Sequence, residues 1–467
     1  MLYFAEDSLP GLQLPLADPQ AEVLNQRLQT EAPAIYNMLS PCGKSLYYPK
    51  QGLLLQAEEA ADSRYNGTVG IALDDAGKPM HYSSISRMLH LDTSCCVPYA
   101  SSYGLPVLRQ LWGQQLPQKN PVLESKRNKI SLPVVTGGIT HGLWIAFQMF
   151  LGRGDELLLP HLYWPNYRLI AQANCGAKLK SYNTFSGNGL DIRAIYNELM
   201  APGDKKVLLF NFPHNPTGYS PSKSEVAELQ AIFLEAANIG KRIVVLCDDA
   251  YWGLCYEPET ERQSLFSFVC DLHENILAVK LDGATKEDFS WGLRVGFITF
   301  GYRGQGAGAG EAQTVSPDEP ICKVLEEKAG AAVRLSTSNS SRLSQELLLA
   351  VYQDSQTQGE RESLQKILAA RYRTLRQCLS GRKAQEEWSR YLKPLPFNSG
   401  YFMTFEIQAD GLSADALRKH LLACHDIGLI ALQDRYLRFA FSAVAERDIP
   451  HVLETLHRSC RELGDRK

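Results

Sequence analysis

The stretch Ile243-Val244-Val245-Leu246-Cys247-Asp248-Asp249-Ala250-Tyr251 decides the fold. Its first five residues are apolar without alternation, as a strand covered on both faces demands. It then delivers two adjacent carboxylates and a phenol, and open α/β sheets hold their ligands at the carboxyl ends of the strands. A buried carboxylate there needs a partner. A cationic ring nitrogen would keep Asp248 ionised, while the Tyr251 hydroxyl could donate to a phenolate-like oxygen on the same ring. Taken alone, the aspartates read equally well as a solvated pair capping the next segment.

Outward from this strand, residues 156–160, 206–212, 275–281 and 296–301 are further apolar runs, separated by helix-like stretches at 141–151, 165–173 and 222–237. That alternation predicts an α/β fold: a large domain with a mostly parallel mixed sheet covered by helices. Upstream, residues 21–39 carry an imperfect helical period and read as an arm. Residues 301–320 hold Gly304, Gly306, Gly308 and Gly310 among few large apolar side chains and read as a surface loop. Gly304-Gln305-Gly306 is not followed by the amphipathic helix that a dinucleotide turn requires. Beyond it, helical stretches 322–358 and 361–379, a strand at 400–407, a helix at 413–424 and strands at 429–433 and 436–442 predict a smaller α+β C-terminal domain. The expected division is an arm at 1–60, a large domain at 61–310 and a small domain at 311–467.

Composition excludes several classes of function. The 467 residues carry 48 Lys and Arg against 51 Asp and Glu, so no net positive field favours nucleic acid or an anionic membrane. No apolar run reaches the ~18 residues of a spanning helix. The opening Met1-Leu2-Tyr3-Phe4-Ala5-Glu6-Asp7 lacks a basic region followed by an apolar one, so a soluble cytoplasmic protein is expected. The 11 cysteines are scattered and form no C-x-x-C pair, so neither a disulfide framework nor a metal site is expected.

Three more segments combine special backbone demands with reactive side chains. Asn211-Phe212-Pro213-His214-Asn215-Pro216-Thr217-Gly218 follows an apolar run and puts Asn215 at a strand's carboxyl end, although by itself it is also a plain Asn-Pro turn. Leu281-Asp282-Gly283-Ala284-Thr285-Lys286 leads to Arg294, eight positions after the lysine. Lys286 suits a Schiff-base amine and Arg294 a phosphate fork. Lys280 competes for the first role but lies inside the apolar run. Pro133-Val134-Val135-Thr136-Gly137-Gly138-Ile139-Thr140 passes from strand through a glycine turn to a helix, whose free amides at Gly138, Ile139 and Thr140 could cradle a phosphate.

Together with Tyr163-Trp164-Pro165-Asn166-Tyr167 and the late Tyr436-Leu437-Arg438, these segments resemble, in order, the class I/II aminotransferases, fold-type-I enzymes of pyridoxal 5'-phosphate. The resemblance runs from about Tyr99 to Ser442. It implies that Lys286 carries the cofactor as a Schiff base and that Asp248 pairs with the ring nitrogen. Asn215 and Tyr251 would bind the ring hydroxyl oxygen. Trp164 would stack on the ring, with Tyr163 the alternative in a shifted register. Gly138, Ile139, Thr140 and Arg294 would bind the phosphate, and Arg438 the substrate α-carboxylate. Tyr99 is similar to the tyrosine that reaches the neighbouring subunit's phosphate, which implies a homodimer with shared active sites. The implied partners are an amino acid and a 2-oxo acid, with neither nucleic acid nor membrane.

This chain departs from the pattern at Gly283, where a serine is common, and in the acidic Glu287-Asp288 that follows the lysine. A pyridoxal-phosphate lyase acting at the β or γ carbon would use the same anchors and is the alternative. A cofactor-binding regulator would need a DNA-binding module that is not evident before Tyr99. Arg64 and Arg87 are candidates for neutralising a second substrate carboxylate or, more simply, surface arginines. Residues 67–70 would lie beside the substrate carboxylate, and the lead around Tyr47-Tyr48-Pro49-Lys50 could close over the site.

Overall fold

A computed structural model describes residues 18–49, 52–89, 91–303, 321–380 and 388–464. Seven strands build the large sheet: β1 Val134–Thr136, β2 Glu156–Pro160, β3 Lys178–Tyr182, β4 Lys205–Asn211, β5 Arg242–Asp248, β6 Ile276–Gly283 and β7 Gly296–Tyr302. Their order is β1-β7-β6-β5-β4-β2-β3, and only β7 runs antiparallel to its neighbours. The apolar runs lack alternation because both faces are covered. Leu157, Leu159, Val207, Leu209, Leu246 and Val279 enter one core, and Leu158, Leu208, Phe210, Val245, Cys247 and Ala278 enter the other. Each such side chain contributes roughly 1.5–3 kcal/mol on burial.

The helices that matter to the site are α1 Pro19–Glu31, α2 Leu53–Glu59, α3 Pro106–Lys119, α4 Ile139–Phe150, α5 Asn166–Cys175, α6 Lys223–Asn238, α7 Ile321–Ser336, α8 Arg342–Gln353, α9 Thr357–Leu379, α10 Ala414–His425 and α11 Ile449–Gly464. Local chemistry sets their ends. Ser222 and Glu225 form a reciprocal capping box on α6, and Gly176 closes α5 in the left-handed conformation. A four-stranded antiparallel sheet, β8 Leu392–Pro394, β9 Phe402–Ile407, β10 Ile430–Leu432 and β11 Tyr436–Ala440, packs against α10 and α11 around a third core. Tyr65 and Asn66 pair in parallel with Ile427 and Gly428 as a separate two-stranded sheet, tying the segment before the site to the C-terminal part of the chain.

Three expectations change. The stretch 21–39 is not one helix but two, because Pro33 forces Ala32 out of the helical region, and Pro41 opens a further short helix beyond it. The stretch 322–358 breaks after Ser336, where Ser338 takes φ +66, and Ser341 caps a new helix. The edge strand β3, Lys-Leu-Lys-Ser-Tyr, went unread because its lysines face solvent and blunt the sheet edge, leaving no apolar run. The glycine-rich segment 304–320 lies outside the described residues. Among the described residues, no helix is long and apolar enough to cross a membrane.

Candidate active site

Strands β4, β5 and β6 end in register, with Asn211 opposite Asp248 and Asp248 opposite Leu281, so three loops leave the sheet side by side. Asn211 fastens two of them. Its amide donates to the Asp248 carbonyl at 2.8 Å, and its side-chain oxygen accepts from the Asn215 backbone N–H at 2.7 Å. The buried His214 holds the same turn through Nδ1 and the Thr217 hydroxyl at 2.8 Å. Burial pushes its imidazole down to about 3, so it is neutral at ordinary pH, with a single ring proton.

The Asp248 carboxylate is 2% exposed. It accepts from the Tyr167 hydroxyl at 2.6 Å and from the Ala250 N–H at 3.1 Å. Burial nevertheless pushes the carboxyl up to about 6, against the pull of Tyr167, Lys286 and Ala250. Lys286, on the short turn after β6, has Nζ 4.9 Å from the centre of the Tyr251 ring. Burial brings this amine down to about 8, with Arg294 assisting and Asp248 opposing. Tyr251 packs edge-on against Tyr401 and Phe402, and the Asn215 amide hydrogen-bonds its hydroxyl.

From β11, Arg438 reaches this group while only 2% exposed. Its Nη1 donates to Asn215 Oδ1 at 3.2 Å and its Nη2 to the Thr68 carbonyl at 2.6 Å. The guanidinium lies 4.5 Å over the Phe402 ring, and its Nε is buried without a partner. Burial lowers this arginine to about 10. The neighbouring turn carries Gly138 at φ +86 as α4 begins. A Cβ there would sit 2.5 Å from Arg294 Nη2, so glycine is what lets the guanidinium close on the free amides of the helix.

A cavity of about 310 Å³ brings together Ile139, Thr140, Trp164, Asn215, Asp248, Tyr251, Lys286 and Arg438. Gly138 directly precedes Ile139 of this wall, and Arg294 lies against Gly138. Trp164, not Tyr163, is the aromatic that lines it, set edge-on to Tyr167. Tyr99 does not line it and is 89% exposed. Asn211, Tyr167 and Phe402 also line the cavity and were not among the expected residues. The signals were present: a polar residue ending an apolar strand, and an aromatic one helical turn beyond Trp164. Helix α2 provides part of the wall through Leu53, Leu54 and Ala57. A larger groove, about 720 Å³, is lined by Lys119 and Arg361 and takes in none of the expected residues.

The departures now have causes. A Cβ at Gly283 would lie 2.6 Å from the Val295 carbonyl oxygen and 2.8 Å from Gly296 Cα, so serine has no room there. The acidic pair after the lysine is neutralised from outside the loop: Lys119 of α3 pairs with Glu287, and Arg361 of α9 with Asp288, which also accepts from the Tyr82 and Tyr352 hydroxyls. Lys280 is 2% exposed and ion-paired with Asp249 and with Asp282, the latter at 3.3 Å. His141 Nδ1 accepts from the Gly137 N–H at 3.0 Å, and its Nε2 meets the Ser336 hydroxyl at 2.8 Å. Arg64 lies over the Tyr65 ring, and Arg87 is paired with Asp354 and Glu360.

Comparison with known proteins agrees with this geometry. The family described as aminotransferase class I and II matches residues 72–456. An aspartate aminotransferase of Bacillus sp. (strain YM-2) is 28% identical over 201 residues, 43% of this chain and 47% of that protein. A probable N-acetyl-LL-diaminopimelate aminotransferase of Bacillus subtilis (strain 168) is 28% identical over 166 residues, 35% of this chain and 38% of that protein. The matched stretches thus span less than half the length of these relatives. Among solved structures, an aminotransferase from Anaerococcus prevotii superposes with a TM-score of 0.74 at 22% identity, covering 90% of this chain and 98% of that one. The kynurenine aminotransferase of Pyrococcus horikoshii, solved with PMP, gives 0.73 at 13% identity over 92% and 98% of the two chains. These likenesses establish the fold-type-I architecture. With the family matched over most of its length, the chain belongs to the class I and II aminotransferases, the pyridoxal-phosphate enzymes its motifs resemble.

Proposed function

We propose that this protein transfers the amino group of an α-amino acid to a 2-oxo acid, using pyridoxal 5'-phosphate held in the cavity at the ends of β4, β5 and β6. The observation that carries this reading is the gathering of Lys286, Asp248, Asn215, Tyr251 and Arg438 into one enclosed space. The residues fit the cofactor. Asp248 is buried, pushed up towards neutrality and in need of a cation, which a pyridinium supplies. The turn at Gly138 admits no side chain beside the Arg294 fork, which leaves amides and guanidinium converging as a phosphate cradle.

When bound, the cofactor supplies an electron-withdrawing ring that accepts the electron pair left at the substrate α-carbon. The chain's own residues do the rest. Lys286 holds the cofactor through Nζ. Its amine, brought down to about 8, would be suited to taking the proton from the substrate α-carbon and delivering it to the carbon on the other side of the amino nitrogen, two bonds away. Asp248 keeps the ring nitrogen protonated, with Tyr167 fixing the carboxylate. Asn215 and Tyr251 hold the ring hydroxyl oxygen and Trp164 covers the ring. Arg438, braced by Asn215 and Thr68 and retaining an unpartnered Nε, takes the substrate carboxylate.

The protein acts as a homodimer in this reading. The Tyr99 side chain is 89% exposed, and Val97 and Leu89 of the same stretch of chain are 79% and 66% exposed, which suits a surface that a second copy covers to complete the phosphate site. A cytoplasmic location agrees with eleven free cysteines, three of them, Cys42, Cys95 and Cys424, exposed. The division into 1–60, 61–310 and 311–467 is likewise proposed. The test is the absorption spectrum of the cofactor-loaded protein with single amino acids, and with Lys286→Ala as control. Conversion to the amine form of the cofactor with stoichiometric release of a 2-oxo acid supports the reading. Release of ammonia with the starting spectrum restored would refute it.

A further inference from the structure

We propose that His420, His425 and Glu462 form a binding site for a divalent cation of the zinc class. None of the three lines the cavity at the strand ends, so the site is separate from the one described above. The histidines lie in the last two turns of α10 and the glutamate in the last turn of α11, two helices that pack on each other. One ligand atom from each residue comes within 4.8 Å of the others. His420 Nε2 stands 3.5 Å from Glu462 Oε2, and the two imidazole rings lie 5.5 Å apart at 75°. The Nε2 atoms of both histidines are buried, and neither has a hydrogen-bond partner among the described residues. A buried imidazole nitrogen left without a partner is costly, and a metal ion relieves that cost at the ring lone pair.

The donor set selects the ion. Two imidazoles with one carboxylate suit zinc and its first-row neighbours, whereas magnesium and calcium take oxygen ligands. Bonds of about 2.0–2.2 Å in a tetrahedron put ligand atoms about 3.3 Å apart, so the trio closes on an ion by side-chain shifts of about an ångström. The neighbours leave the ligand atoms available. Glu462 turns Oε1 towards Arg458, 3.9 Å away, and Oε2 towards His420. The exposed Arg458 can swing into solvent as a cation arrives. Cys424 Sγ lies 3.7 Å from His420 Nδ1, the kind of outer contact that orients a ligating ring and leaves Nε2 for the metal. Glu462 is exposed, which gives the ion a way in and leaves a fourth position to water. Between His425 and Glu462 the chain runs through β10 and β11, and β11 carries Arg438. A bound ion staples the two ends of that segment together.

The experiment uses the cofactor-loaded protein, treated with chelator and dialysed, and zinc chloride as the probe. Calorimetry should show about one ion per chain with a dissociation constant of about 10 μM or tighter. His420→Ala, His425→Ala and Glu462→Gln should each weaken binding by at least about tenfold, and Cys424→Ser should change it far less. Cobalt(II) in place of zinc should give the d–d bands of a nitrogen and oxygen site without a thiolate charge-transfer band, and magnesium should not compete. Zinc should raise the unfolding midpoint of the unsubstituted chain and leave that of His425→Ala unmoved. Circular dichroism reports whether each variant folds, and Glu462→Gln, at an exposed position, decides the matter if a histidine variant does not. Absence of binding near this affinity, or binding that the three variants leave unchanged, would overturn the proposal. So would a thiolate band that vanishes in Cys424→Ser.

Discussion

Two lysine–aspartate pairs occupy the same sheet end and have opposite fates. Asp249 and Lys280 point to one side, where they are ion-paired with each other, with Asp282 completing the cluster. The carboxylates there hold the Lys280 proton more firmly than usual in spite of burial. Asp248 and Lys286 point to the other side. There Asp248 is pushed up to about 6 and Lys286 down to about 8, each towards its neutral form, because burial is not offset by close pairing. Pairing makes one couple structural. Incomplete pairing makes the other reactive and leaves it waiting for charge from a ligand.

Lys286→Ala should break the reactive side and cost the most: a fall in transamination of about four orders of magnitude, the upper range for a positioned acid–base, measured in single turnover. Lys280→Met should break the structural side instead. It strands Asp249 as a buried unpaired charge and should lower the unfolding free energy by about 3–5 kcal/mol in urea titration, whereas Lys286→Ala should shift it far less. Tyr167→Phe sharpens the contrast. It removes one hydrogen bond to a charged carboxylate, about 1.5–3 kcal/mol, and should raise the Asp248 pKa and weaken cofactor affinity by about tenfold in fluorescence titration.

A further contrast is the pH dependence of the cofactor-free protein. The folded chain gives up the Lys286 proton at about 8 while the unfolded chain keeps it to about 10.5, so Lys286 contributes stability that rises with pH between those values. Lys280 has the opposite sign. Its folded proton is held more tightly, so its contribution is present below the unfolded pKa and is lost above it. Unfolding scans across pH 7 to 10 should show a rise that disappears in Lys286→Met. A flat difference between those proteins would remove Lys286 as its source.

Much of this was legible in the sequence because the parallel strands are apolar on both faces and the reactive residues sit where those strands stop. Asp248, Asn215 and Lys286 were found that way, and Arg438 followed from the order of motifs. Other features depend on distance in space. Nothing in Tyr167 announces that its hydroxyl reaches Asp248, 81 residues on. Nor does Glu287-Asp288 reveal Lys119 and Arg361 as its counter-charges. The breaks at Ala32 and Ser338 were missed because helical periodicity persists across a proline or a single left-handed residue. His420, His425 and Glu462, whose potential ligand atoms approach within 4.8 Å of one another between α10 and α11, lay beyond a search for cysteine spacing.

Helix α9 links the amine to the carboxylate clamp mechanically. Arg361 grips Asp288, two residues past Lys286, while ten residues further along the same helix Arg371 grips the Ser442 carbonyl, four residues past Arg438. Ten residues of α-helix form a rod of about 15 Å that barely stretches. The two contacts thus join the turn that carries Lys286 to the segment that follows Arg438 through one stiff helix, so neither can shift along the helix axis without the other.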